Sequence, residues 1–153
     1  MEKRYWKKTE GKVSNLKPDE LLIRDERYLN SEGDIDWEKW APNGGRISES
    51  VKEGQTLEVG KIIDRYGSTF GKYVSPEGTP YEQRALPYLE NPNAYHKYKV
   101  IRPIENVTIS EIAPAFEQIG GGIQYELPLP VKDLLGDYLK TNYKKSRGKT
   151  EKV

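Results

Sequence analysis

The chain contains no cysteine. That absence excludes disulfides, thiol nucleophiles and thiolate metal sites, and it suits a protein that works whatever the redox state around it. Histidine is nearly as scarce, with His96 alone in 153 residues, which argues against an ordinary zinc site. Long apolar runs are missing as well. The longest are a few residues, far short of the ~20 a membrane-crossing helix requires, and no signal peptide is visible, so no membrane partner is expected. If a parent protein is exported, its signal lies outside this stretch. Neither sign of charge dominates: 25 basic residues stand against 24 acidic ones for a net charge of +1. A dedicated nucleic-acid binder draws its affinity from neutralising phosphates with a basic face, so no nucleic-acid partner is expected either. The oxygen-rich segment from Asn30 to Asp36 lacks the ligand spacing and terminal glutamate of a calcium-binding loop, and it reads as a solvated turn.

What is present suits one domain over residues 1–153, a size that buries about 70% of its unfolded surface. Only 35% of the residues are hydrophobic, so the core must lean on the 11 tyrosines and 3 tryptophans. Residues 1–12 read as a charged arm. Pro18 with Asp19 and Glu20 resembles a helix first turn, which predicts a short helix to about Tyr28. Trp37, Trp40 and the Pro42-Asn43-Gly44-Gly45 turn form an aromatic knot expected to support a site from below rather than stack on a ligand. Strands are expected over 56–65 with a break at Gly60, and over 95–101, 107–112 and 123–127. A helix is expected over 131–139, and a basic, frayed tail from Asn142. Strands outnumber helices and no strand–helix–strand rhythm appears. The fold class is therefore α+β, a central antiparallel or mixed sheet with short helices near both ends and a site on loops at one sheet edge.

Two stretches carry the chemistry. Between Asp64 and Pro87, glycines and prolines recur every few residues, so turns and short extended pieces must alternate. The same stretch holds Arg65, Arg84, Tyr66, Phe70, Tyr73 and Tyr81. Guanidinium forks pair with phosphate oxygens, glycines admit close backbone approach and aromatic faces stack on planar rings. An ordinary glycine-rich surface loop has the same composition. Downstream, Gly120, Gly121 and Gly122 lead into Ile123-Gln124-Tyr125-Glu126-Leu127, whose alternation puts Gln124 and Glu126 on one face of a strand.

An ordered set of short motifs joins these stretches: Asp64-Arg65-Tyr66-Gly67, Gly71-Lys72-Tyr73, Ser75-Pro76-Glu77-Gly78-Thr79-Pro80, Arg84-Ala85-Leu86-Pro87, Tyr95-His96-Lys97-Tyr98, Ile112-Ala113-Pro114 and Gly120-Gly121-Gly122-Ile123-Gln124-Tyr125. In this order they resemble the tuberculosis necrotizing toxin family of NAD(P) glycohydrolases, over roughly residues 28–143. The resemblance implies NAD, and NADP with it, as substrate with no further cofactor and no metal. It also implies a toxin domain at the C-terminus of a larger secreted bacterial protein, acting in the target cell's cytoplasm and neutralised by a cognate immunity protein. By the same resemblance Arg65 and Arg84 hold the diphosphate, Tyr73 lies against nicotinamide or ribose, and His96 holds ribose or phosphate. Phe116 and Gln118 line the approach, and Gln124 orients the water. Read from the residues alone, each has a structural alternative: a salt bridge for the arginines, a packed core position for Tyr73 and His96, a strand-start amide for Gln124. No residue is singled out to hold the 2′-phosphate of NADP.

Two other functions remain at this level. Gln124-Tyr125-Glu126 resembles the Gln/Glu-x-Glu signature of mono-ADP-ribosyltransferases, in which Glu126 would stabilise the cationic ribose and Gln124 would position an acceptor on a target protein. A non-catalytic nucleotide-binding or adhesion module would keep the arginines and have no need of Gln124.

Overall fold

The computed structural model describes residues 19–142. The expected arm over 1–12 and all of the expected tail beyond Asn142 lie outside the described residues. Asn142 itself is buried, and its backbone N–H donates to the Lys97 carbonyl at 2.8 Å.

Seven strands form one sheet: β1 (Lys52–Leu57), β2 (Ile62–Tyr66), β3 (Tyr73–Pro76), β4 (Tyr95–Val100), β5 (Ile104–Glu111), β6 (Ile123–Glu126) and β7 (Leu139–Thr141). Their order is β1-β5-β6-β3-β2-β4-β7 and every pairing is antiparallel. The α+β class expected from the sequence is the one found. The break expected at Gly60 within 56–65 is a turn with Gly60 at φ 97°, which parts β1 from β2.

Strand period and register sort the side chains onto two faces. Ile63 pairs with Tyr98, and Val74 and Ile109 with Tyr125, on the apolar face. There Ile63, Val74, Tyr98, Val100, Val107, Tyr125 and Leu127 are buried in one cluster. Complete burial of such side chains contributes about 1.5–3 kcal/mol each, which makes this face the main source of stability. On the other face Asp64 pairs with Ser75, Ser110 with Gln124 and Tyr73 with Glu126. A second, smaller cluster forms from Ile23, Tyr28, Ala41, Ala85, Ile112, Ala115 and Phe116.

The expected helix from Pro18 to Tyr28 is absent among the described residues. Asp19 is left-handed (φ 62°), and the strap behind it pairs with the 87–89 segment instead, through Arg24 N–H to the Pro87 carbonyl and Leu89 N–H to the Leu22 carbonyl, each at 2.9 Å. Only a 3₁₀ turn, Glu26–Tyr28, survives, capped by Asp25. The tryptophan knot contains α1 (Trp37–Trp40), capped by the Asp36 carboxylate. Near the other end the expected 131–139 helix stops after one turn, α2 (Val131–Leu134), because Leu135 turns extended and Gly136 takes φ 97°. Leu139 then opens β7 instead of closing a helix.

Candidate active site

A cavity of about 710 Å³ lies against the polar face, where Gln124 and Tyr73 form part of its wall. That volume falls within the ~300–1,000 Å³ of small-molecule and cofactor sites. The rest of the lining comes from Arg84, Ala85 and Leu86, from Ile112, Ala115 and Phe116, and from Trp37 and the 42–45 turn. Five of these residues, Ala41, Ala85, Ile112, Ala115 and Phe116, belong to the second cluster. The packing of that cluster therefore sets the shape of the cavity.

Gln124 follows from its strand. It pairs with buried Ser110 in β5, a small neighbour that leaves room around the amide. The glycines ahead of it hold three segments together. The Gly121 N–H donates to the Ile112 carbonyl at 2.7 Å, and the Gly122 N–H to the Gln83 carbonyl at 3.1 Å. A Cβ at Gly120 would meet the Ala113 backbone at 2.7 Å, and one at Gly122 would meet the Thr79 methyl at 2.8 Å. Glycine is required at both positions, and the result is that β6 starts in contact with the turn that carries Arg84.

Arg84 ends the 3₁₀ turn Tyr81–Arg84 and is nearly buried. Its Nη2 lies 2.8 Å from the Asp64 carboxylate, with side-chain exposures of 5% and 0%, and its Nε donates to the Thr79 carbonyl at 3.0 Å. The guanidinium also stands 5.0 Å from the Tyr66 ring centre. Asp64 is further held by the Tyr95 hydroxyl at 2.6 Å and the Gly78 N–H at 3.0 Å. So buried a pair is stable only with further polar partners, and each side has them: the Thr79 carbonyl for Arg84, the Tyr95 hydroxyl and the Gly78 N–H for Asp64. Around it, burial pushes the hydroxyls of Tyr66, Tyr81 and Tyr95 well above the ordinary tyrosine range, with the Glu90 and Asp64 carboxylates adding to the shift for Tyr66 and Tyr95.

Tyr73 opens β3 as a 45% exposed residue, with Lys72 Nζ 5.8 Å from its ring centre. Its backbone carbonyl accepts from Arg65 Nη1 at 2.8 Å. Arg65 follows Asp64 in the strand and so faces the opposite way. It is half-buried, desolvation holds its pKa below the usual value, and its guanidinium fills the space beneath Gly67 and Gly71, where a Cβ would collide with it. His96, paired with Arg65 in β4, shares that face and lies 2.5 Å from the Asp19 carboxylate through Nε2. Of the sequence-derived site residues, the fold brings Gln124, Tyr73, Arg84 and Phe116 to the cavity. It does not bring Arg65 or His96 there. Gln118 sits in the tight 115–118 turn after Phe116, outside the cavity wall.

Glu126 does not line the cavity. Its carboxylate is 2.9 Å from Lys72 Nζ and 3.8 Å from Arg46, and this contact raises the Lys72 pKa. Trp37 corrects an expectation: it is part of the cavity wall, 51% exposed, with its ring edge-on to Phe116 at 5.3 Å. Trp40 keeps the supporting role, packed on Tyr28 at 4.7 Å. Ala85, Phe116 and Glu117 are left-handed without being glycine (φ 50°, 51° and 62°), a conformation that costs on the order of 1–3 kcal/mol per residue and concentrates at functional sites. No sequence pattern announced these three. Among the described residues no group of three His, Asp or Glu side chains could hold a metal ion.

An antiparallel sheet with a pocket on its polar face, walled by an arginine, a tyrosine, a glutamine and two aromatic rings, defines an α+β domain with a candidate small-molecule site. The profile of the family described as tuberculosis necrotizing toxin matches residues 56–141, and the chain belongs to that family. It is similar to the conidial surface nicotinamide adenine dinucleotide glycohydrolase of Aspergillus fumigatus, 34% identical over 123 residues that take in 65% of this chain and 52% of the relative. It is also similar to the outer membrane channel protein CpnT of Mycobacterium tuberculosis and Mycobacterium bovis, 32% identical over 102 residues, 60% of this chain and 12% of theirs. The chain thus spans about half the length of the fungal relative and a small part of the mycobacterial ones. A solved structure of tuberculosis necrotizing toxin complexed with its immunity factor aligns over 92% of this chain and 100% of that one, with 19% identity and a TM-score of 0.48.

Proposed function

We propose that this domain is a toxin enzyme that hydrolyses NAD, and NADP with it, at the nicotinamide–ribose bond. One arrangement supports the reading above others. Gln124 and Tyr73, on the polar face of the sheet, line a cavity of nucleotide size together with Arg84, Trp37 and Phe116. Family membership and the activity named for the fungal relative agree with it.

The chemistry asks little of the protein in acid–base terms. Nicotinamide bonded to ribose is already cationic, so when the bond from its nitrogen to C1′ breaks, the electron pair leaves with the ring as a neutral base. C1′ is left with oxocarbenium character. A water oxygen adds to it and loses a proton to solvent, giving ADP-ribose. What the enzyme must supply is position and field. The Gln124 amide does both: its carbonyl oxygen accepts from the water and its NH₂ donates to a ribose hydroxyl. Arg84 meets the diphosphate with the part of its guanidinium that Asp64 and Thr79 leave free. Tyr73 lies against nicotinamide or ribose, Phe116 lines the approach, and Gln118 acts through the turn that holds Phe116. Arg65 serves from behind the wall by fixing the Tyr73 carbonyl and the glycine loop above it. His96 steadies the strand beside it through Asp19.

The transferase reading requires a glutamate at the reacting ribose, whereas Glu126 is engaged by Lys72 and Arg46. In its biological setting the domain is read as the toxic part of a larger delivered protein, acting in a target cell and restrained by a cognate immunity protein. Incubation of the purified domain with NAD alone, followed by proton NMR, tests the reaction. Stoichiometric nicotinamide and free ADP-ribose, lost in Gln124→Ala, are expected. Intact NAD that is consumed only when an acceptor protein is added would transfer the case to the transferase.

A further inference from the structure

One guanidinium joins two segments that line the cavity. Arg24 is half-buried in the strap ahead of the Glu26–Tyr28 turn. Its Nη1 donates to the carbonyls of Leu86 at 3.0 Å and Tyr88 at 3.2 Å. Its Nη2 donates to the Phe116 carbonyl at 2.5 Å and the Tyr28 hydroxyl oxygen at 3.2 Å. The first pair of contacts grips the segment of Arg84, Ala85 and Leu86, and the second grips the turn of Phe116 and Glu117. Each wall carries left-handed backbone at a residue with a side chain, Ala85 in one and Phe116 with Glu117 in the other. Glycine would relax there, but the side chains are in use. The Phe116 ring is a wall of the cavity. The Glu117 carboxylate accepts from the Tyr28 hydroxyl at 2.9 Å and from Arg27 Nη2 at 2.6 Å. The Tyr28 hydroxyl in turn reaches the Phe116 carbonyl at 2.9 Å.

We propose that Arg24 is a positioning residue that fixes the segment of Arg84 to Leu86 relative to the turn of Phe116, with Tyr28 as its second anchor. The proposal rests on the reading that NAD occupies this cavity. Arg24 does not line the cavity, so its effect on the reaction passes through Arg84 and Phe116. Lysine cannot replace it: a compact ammonium has no rigid fork with which to span Leu86, Tyr88 and Phe116 together. Arg24 and Tyr28 also lie outside the 56–141 stretch that the family profile matches, so family membership does not account for them.

Arg24→Lys and Tyr28→Phe, each compared with the parent chain, test it by two independent readouts. NMR detects positive φ at Phe116 and Glu117 through their strong intraresidue HN–Hα contact. Steady-state kinetics on NAD separates KM from kcat. In Arg24→Lys we expect loss of the left-handed signature at Phe116 and a KM about tenfold higher with kcat less affected, at unchanged circular dichroism. Tyr28→Phe should move both readouts the same way and less far, and it decides the matter if Arg24→Lys does not fold. Persistence of the signature with KM within about twofold of the parent would overturn the proposal, as would activity that only follows the folded fraction at constant KM. Should the parent chain leave NAD intact, the proposed reaction fails on its own, and the NMR signature alone decides the clamp.

Discussion

On one face of the sheet Ile63, Val74, Tyr98 and Tyr125 pack in a cluster with no charged side chain, while on the other Asp64, Gln124 and Glu126 stand beside Ser75 and Ser110. The two faces are built from the same strands by alternation, interrupted only where β1 and β5 bulge, yet they are held together differently. The apolar face gains from area, so no one side chain is indispensable and residues of similar volume can take its place. The polar face gains from partners. Asp64 has three, Arg84 has two besides a ring, and loss of any one leaves a buried group exposed to the full cost of desolvation. A cavity can be kept open on such a face because directed contacts hold its polar wall while the second cluster packs its apolar one.

The largest effect expected from this comparison comes from Asp64→Asn. Removal of the carboxylate leaves the Arg84 charge buried and uncompensated, which costs about 3–5 kcal/mol when a buried pair is broken. Urea unfolding should show it, and a loss no larger than that of a surface substitution would mean the pair is not as isolated from water as its geometry indicates. Next is Gln124→Ala, on the same face but with a different outcome: kcat/KM should fall by about 10²–10³. The melting temperature should hardly move, because Gln124 sits beside a cavity and not in the core. A smaller effect is expected from Ile63→Val on the apolar face, about 0.5–1.5 kcal/mol of stability with KM and kcat unchanged. If that substitution altered KM, the two faces would not be separable.

The most gradual effect is on pH. Tyr66, Tyr81 and Tyr95 have hydroxyls raised by burial above the free value near 10. Above about pH 10 the unfolded chain releases these protons while the folded chain keeps them, so the unfolded state binds fewer protons and stability falls as pH rises. Below that value the contribution is fully present. Thermal melts from neutral pH upward should be level and then decline past about pH 10; a level curve throughout would show that the tyrosine cluster is open to solvent.

Much of this comparison was legible in the sequence. Period-two alternation over 123–127 put Tyr125 inward and Gln124 outward, and the glycines before it marked a junction. Between Asp64 and Arg65 the alternation did not decide which one faces the cavity. That depends on the pairing of Asp64 with Ser75 and Lys97, and register is fixed by tertiary contacts that a single sequence does not state. The motif set drew Arg65 and His96 toward the site together, and they are indeed neighbours, on the other side of the sheet. Trp37 reads as a knot residue because nothing local distinguishes it from Trp40; only the position of Phe116 turns its ring into a wall. The expected helix before Tyr28 failed for a similar reason. Its acidic first turn is a sound local signal, overridden by pairing with the 87–89 segment. Arg24, whose partners lie 62 and 92 residues away, left no local trace.

The account stands on the claim that the polar face, and not the face of Arg65 and His96, receives the nucleotide. Titration of the ¹⁵N-labelled domain with ADP-ribose tests that claim most directly. It predicts shifts that begin at Gly44, Tyr73, Phe116 and Gln124 while Asp19, His96 and Tyr98 stay in place. Shifts centred on Asp19 and His96, with Gln124 unmoved, would contradict it and put the site on the opposite side of the sheet.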